Sequence, residues 1–99
     1  MITFVRTIIA APGKIVEAMT AAKEMAALVK KATGVDVAVG ASIGGSVSEF
    51  AWISHYDSLA HMEVANDKMM ADADVHAGMK KFEHLLAPGT SRDHIWRHV

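Results

Sequence analysis

The chain has 99 residues, of which 52% are apolar, and ten Lys and Arg against eleven Asp and Glu leave a formal net charge of −1. That length suits one domain over residues 1–99 rather than two, and the near-zero charge argues against electrostatic affinity for nucleic acid or an anionic membrane. Cysteine is absent, which excludes a disulfide framework, a thiolate metal centre and a cysteine nucleophile, and fits a cytoplasmic setting.

Arg6 interrupts the apolar run that follows Met1, so no secretory leader is expected there. Ile2 to Ala10 is rich in β-branched and aromatic side chains and ends at Ala11-Pro12-Gly13, a strand followed by a breaker. From Pro12 to Thr33, the residues Ile15, Met19, Ala22, Ala26 and Val29 recur every three or four positions, which predicts one apolar face of a helix. Glu17 lies early, Lys30 and Lys31 lie late, and Gly34 is a natural left-handed stop. Val35 to Ile43 alternates as a second strand, Gly44-Gly45 supplies a hairpin turn, and Ser46 to His55 reads as the returning strand. Asp57 or Ser58 caps a helical region that runs to about Leu86, with a break expected between Met70 and Asp74. Val75, Met79, Phe82 and Leu86 form the stripe of its second half, and Ala87-Pro88-Gly89 ends it. Arg92 to Val99 alternates as a last strand. The longest charge-free stretch, Val37 to Ser48, contains three glycines and falls far short of the roughly 20 residues of a membrane helix.

The order β-α-β-β-α-β predicts an α+β, ferredoxin-like fold, a four-stranded antiparallel sheet with both helices on one face. The other face is then bare, yet the strands are apolar on both sides: Ile2, Phe4 and Ile8 oppose Val5 and Ile9 in the first strand. A second copy of the chain is the simplest cover, so a homodimer is expected. Burying about 500–800 Å² of apolar surface per subunit would contribute on the order of 10–20 kcal/mol before association costs.

Several short segments resemble one family. Arg6-Thr7 followed by Pro12-Gly13-Lys14, then Trp52, Tyr56-Asp57-Ser58-Leu59-Ala60, Asp72, and Leu85-Leu86 before Pro88-Gly89 are similar in order and spacing to the NIPSNAP-like family of the dimeric α+β barrel superfamily. The resemblance implies a ferredoxin-like fold that pairs as a dimeric α+β barrel; it implies no settled reaction. Ile8 stands where the family often has an aromatic residue, and Asp72-Ala73-Asp74-Val75 where it often has Asp-Pro-Glu-Trp.

Arg6 lies within an apolar strand, where an unpaired charge would be costly, so a carboxylate partner is expected. Glu49, on the predicted neighbouring strand, is the candidate, and the pair would orient the polar end of a ligand in the barrel interior or fix register. Trp52 and Trp96 are candidates for an aromatic wall around a flat, apolar or aromatic ligand. His55 and His76 are the candidates for acid–base work, because imidazole titrates near neutral pH. His94 and His98 are four apart on a strand, about 13 Å, too far to share one ion, so no metal is expected and no cofactor is called for. Three functions remain open: binding of a small apolar or aromatic molecule, a cofactor-independent monooxygenase or cyclase that uses a histidine, and a purely structural interaction module.

Overall fold

The computed structural model describes residues Met1–Val99. In chain order the elements are β1 (Ile2–Ile9), α1 (Ile15–Thr33), β2 (Val37–Ala41), β3 (Glu49–Tyr56), α2 (Leu59–Ala71), α3 (Ala73–Phe82) and β4 (Arg92–Arg97), with a 3₁₀ turn over Glu83–Leu85. The strands pair antiparallel in the order β2-β3-β1-β4. This is the ferredoxin-like α+β arrangement that the element order predicts. No helix is long and apolar enough to cross a membrane.

Local chemistry sets the boundaries. Gly34 closes α1 at φ 78°, and its amide donates to the Lys30 carbonyl, a left-handed stop that glycine adopts without steric cost. Ser58 caps α2 by accepting from the His61 amide at 3.1 Å. Asp72 ends α2 and caps α3, its Oδ1 accepting from the Val75 amide at 2.9 Å. The break falls inside the expected window because Asp72 competes for the backbone better than it continues a helix.

Register decides which side chains meet the helices. Arg6 lies opposite Trp52 and Asp93, and Ile8 opposite Phe50. Ile2, Phe4, Arg6, Ile8, Phe50, Trp52, Ser54 and Tyr56 therefore share the helix side, and Thr3, Val5, Thr7 and Ile9 share the bare side with Ala51, Ile53 and His55. The main core joins Ile8, Phe50, Val75, Phe82 and Leu85 to Ala18, Ala22 and Met25 of α1. Phe50 is 1% exposed and sits edge-on to Trp52 and Phe82, with ring centres 5.3 and 6.3 Å away. A second cluster holds Ile2, Val35, Tyr56 and Ala65, with Phe4 and Met62 packed on it.

The apolar stripe of α1 is displaced from its predicted position, and that of α3 keeps Val75 and Phe82 buried but is interrupted at Met79. The buried line of α1 is Ala18, Ala22 and Met25, not Met19, Ala26 and Val29. In α3, Met79 is 49% exposed, and the side facing α1 carries Gly78 instead. A Cβ at Gly78 would lie 2.7 Å from Leu28 Cδ1 and 2.8 Å from Met25 Sδ. Glycine permits the helices to approach this closely.

Candidate functional site

Arg6 is charge-paired, but not with the expected residue. Its Nε donates to Asp93 Oδ1 at 2.7 Å and its Nη2 to Oδ2 at 2.9 Å, a side-on bidentate pair. Glu49 lies opposite Ile9 on the other face of the sheet, so the expected Arg6–Glu49 pair does not form. Asp93 replaces it because β4 flanks β1 and its register brings Asp93 directly across from Arg6. The hydrogen bond to Asp93 raises the Arg6 pKa above its ordinary value, outweighing burial, which acts the other way. The same bond holds the Asp93 carboxyl below the usual carboxylate range. The two side chains are 45% and 42% exposed.

The surroundings of this pair are mostly apolar. The guanidinium lies 5.5 Å from the centre of the Phe4 ring. Phe4 in turn lies opposite Ile95, which is 51% exposed. Every residue of β4 is exposed, while α1 packs on β2 and β3 and α2 on β3. The helix side of the β1–β4 half is consequently an open corner with a phenyl floor, an aliphatic side and two cations, Arg97 opposite Ile2 and Arg6, whose Nη1 is not used by Asp93.

The remaining candidate residues scatter. Trp52 shares the helix side with Arg6, but its indole is committed to packing: Nε1 donates to the Ala22 carbonyl at 3.0 Å, and the ring meets Phe82 edge-on at 5.5 Å. Trp96 lies on the bare face, 60% exposed and stacked on His94. His55 is also on the bare face, whereas His76 lies on α3 and its Nε2 donates to the Met70 carbonyl at the end of α2. The two histidines are thus on different layers. A shallow recess of about 310 Å³ beside His55 is lined by Thr33, Gly34, Val35, Asp36 and His61. No group of three or more His, Asp or Glu side chains is arranged to hold a metal ion.

One constellation was missed in the sequence. Thr3 Oγ1 lies 3.0 Å from His55 Nδ1 and within hydrogen-bond distance of His98 Nε2, and the two imidazole centres are 6.3 Å apart. The residues are far apart in the chain, and only the register of β1 against its two neighbours brings them together.

Comparisons with known proteins rest on structure. No family model matches the chain, and no curated protein matches it. An uncharacterized NIPSNAP domain protein from Burkholderia xenovorans superposes with a TM-score of 0.86 at 14% identity, over 100% of this chain and 95% of that one. The chain has the fold of the NIPSNAP proteins. A NIPSNAP family protein from Agrobacterium tumefaciens matches with a TM-score of 0.82 at 18% identity, over 99% and 85% of the two chains. The chain is also similar in structure to an antibiotic biosynthesis monooxygenase, with a TM-score of 0.73 at 9% identity, over 100% of this chain and 99% of that one.

Proposed function

We propose that the protein is a homodimeric α+β barrel, its two bare sheet faces packed together, that binds a small aromatic or apolar anion at Arg6. The carrying observation is the Arg6–Asp93 pair: Asp93 fixes the guanidinium side-on over Phe4 and leaves Nη1 for an incoming oxygen. A planar acid would place its ring against Phe4 and Ile95 and its carboxylate on Nη1. Placing the binding site on the helix side separates ligand recognition from dimer contact, because Arg6 and Trp96 are on opposite faces. The test is saturation-transfer NMR with 2-naphthoate, with naphthalene-2-carboxamide as the neutral control. Wild type should give transfer to the naphthoate that Arg6→Met removes, with the amide weak in both. Equal transfer in the two proteins, or none in wild type, would overturn the site.

A second reading is a cofactor-independent monooxygenase or cyclase. It is supported by the likeness to an antibiotic biosynthesis monooxygenase and by His55, whose Nδ1 bonds the Thr3 hydroxyl. It requires substrate at the bare face or in the recess beside His55, not at Arg6. Loss of turnover of an enolisable aromatic substrate in His55→Gln, with Arg6→Met unaffected, would favour it.

A further inference from the structure

The bare face carries its charge in an unusual way. On this side β1 offers Thr3, Val5, Thr7 and Ile9, and β2 offers Ala38 and Gly40, none of them ionisable. Ionisable groups come from β3, as Glu49 and His55, and from β4 and the residue just past it, as Arg92, His94 and His98. Asp36 and His61 border the recess next to His55, and the Met1 carbonyl accepts from the His98 amide. Glu49 lies opposite Ile9, at the end of the sheet away from Thr3. Apart from one carboxylate and one guanidinium, the ionisable groups of this face are therefore imidazoles.

The occupant that fits is a second copy. The molecule measures 37 × 34 × 20 Å, a slab of one helix layer and one sheet layer whose sheet has no cover on its far side. Strands of eight, five, eight and six residues, at about 3.3 Å per residue and about 4.8 Å apart, present roughly 430 Å² of flat face per copy. Side chains standing on that plane give it more accessible surface than its flat projection, so two such faces come close to the ~1,000 Å² of a specific interface. In a two-fold contact each face meets its own charge pattern, so a face that is near neutral can dock on itself and a face rich in imidazolium cannot.

We propose that self-association through this face is proton-gated: two copies dock while the His55–Thr3–His98 chain is uncharged and separate when both imidazoles are protonated. The inference rests on the homodimer reading above and names its regulation. With both rings neutral, the Thr3 hydroxyl can donate to the bare nitrogen of one ring and accept from the N–H of the other, so the chain is satisfied without net charge. With both rings protonated, two cations sit 6.3 Å apart, the partner brings two more, and burying them unpaired is costly. Docking must then expel protons, and each proton expelled raises the dimer Kd by up to about tenfold per pH unit below the imidazole range.

The test is sedimentation velocity on the full chain at pH 7.5 and 5.5 at fixed ionic strength, with circular dichroism as a fold control. Wild type should be dimeric at pH 7.5, with a Kd at least about tenfold higher at pH 5.5. The double variant His55→Gln/His98→Gln should lose most of that pH response and the triple variant with His94→Gln added should dimerise alike at both pH values, while His61→Gln and His94→Gln alone should respond much as wild type does. If the double variant does not fold, His98→Gln alone should show a reduced pH response. A wild-type Kd unchanged between the two pH values, or a full pH response retained in the double variant, overturns the gate and leaves the dimer standing. A monomer at pH 7.5 and high concentration overturns the dimer itself.

Discussion

Trp52→Phe separates a packing role for this indole from a ligand-facing one. The substitution removes the Nε1–H that donates to the Ala22 carbonyl at 3.0 Å, a net loss of about 1 kcal/mol. It also removes the larger part of a bicyclic ring that meets Phe50 and Phe82 edge-on at 5.3 and 5.5 Å. A phenyl ring keeps part of that contact, so the packing loss is about 1–2 kcal/mol, below the ~3–5 kcal/mol of full truncation to Ala. The total, about 2–3 kcal/mol, should lower Tm by about 8–24 °C, at roughly 4–8 °C per kcal/mol for a domain of this size. Urea titration followed by far-UV circular dichroism should show the midpoint fall with an unchanged slope. A Trp52→Phe protein as stable as wild type would refute the view that the indole is a structural pin between the sheet and α1.

Three further outcomes follow from particular contacts. Gly78→Ala should fall within about 1 kcal/mol of wild type, because the helix propensity gain offsets displacement of the flexible tips of Leu28 and Met25; Gly78→Val should cost about 1–3 kcal/mol by overpacking, both read by thermal melts. Asp72→Ala should cost about 1 kcal/mol in urea midpoint, since it removes the oxygen that accepts from the Val75 amide and caps α3. Because the folded-state pKa of Asp93 is lowered, its pairing with Arg6 stabilises the fold above the unfolded carboxylate range near pH 4 and is lost as pH falls through the lower folded value. With both partners half exposed the effect is about 0.2–1 kcal/mol, and stability curves of wild type and Asp93→Asn should converge as pH falls through the lowered folded-state value of Asp93.

Much of the fold was legible because local signals agree with the global plan. The β-branched run of β1, the Gly34 stop and the Asp72 break each have a cause within a few residues. The interruption of the α3 stripe at Met79 was not legible, since Gly78 contributes no side chain to an apolar pattern and its importance comes from Met25 and Leu28 across the gap. The Arg6 partner failed for a different reason. Glu49 and Asp93 both lie on strands flanking β1, and pairing sums decide which one shares the Arg6 face. The β1–β3 register puts even-numbered residues opposite even ones, while the β1–β4 register puts even opposite odd. Nothing in either segment encodes that sum, and a one-residue slip would exchange the two carboxylates. The His55–Thr3–His98 chain depends on both registers at once, which is why spacing arguments that compared histidines along one strand could not find it.

The central position of β1 also bears on how the chain reaches its final form. Its two neighbours, β3 and β4, begin at Glu49 and Arg92, so the strand made first by the ribosome is the last to have both edges filled. Closing those long loops is slow compared with forming α1. Throughout that interval Phe4, Val5, Ile8 and Ile9 have one or both ladder edges unpaired, in the very segment that also supplies a face for a second copy. Nascent chains that meet before β4 arrives can therefore pair through the β1 edge, a route to misassembly. Arg6 midway along that strand, still without Asp93, places a repelling charge on such an edge, much as gatekeeper charges do elsewhere.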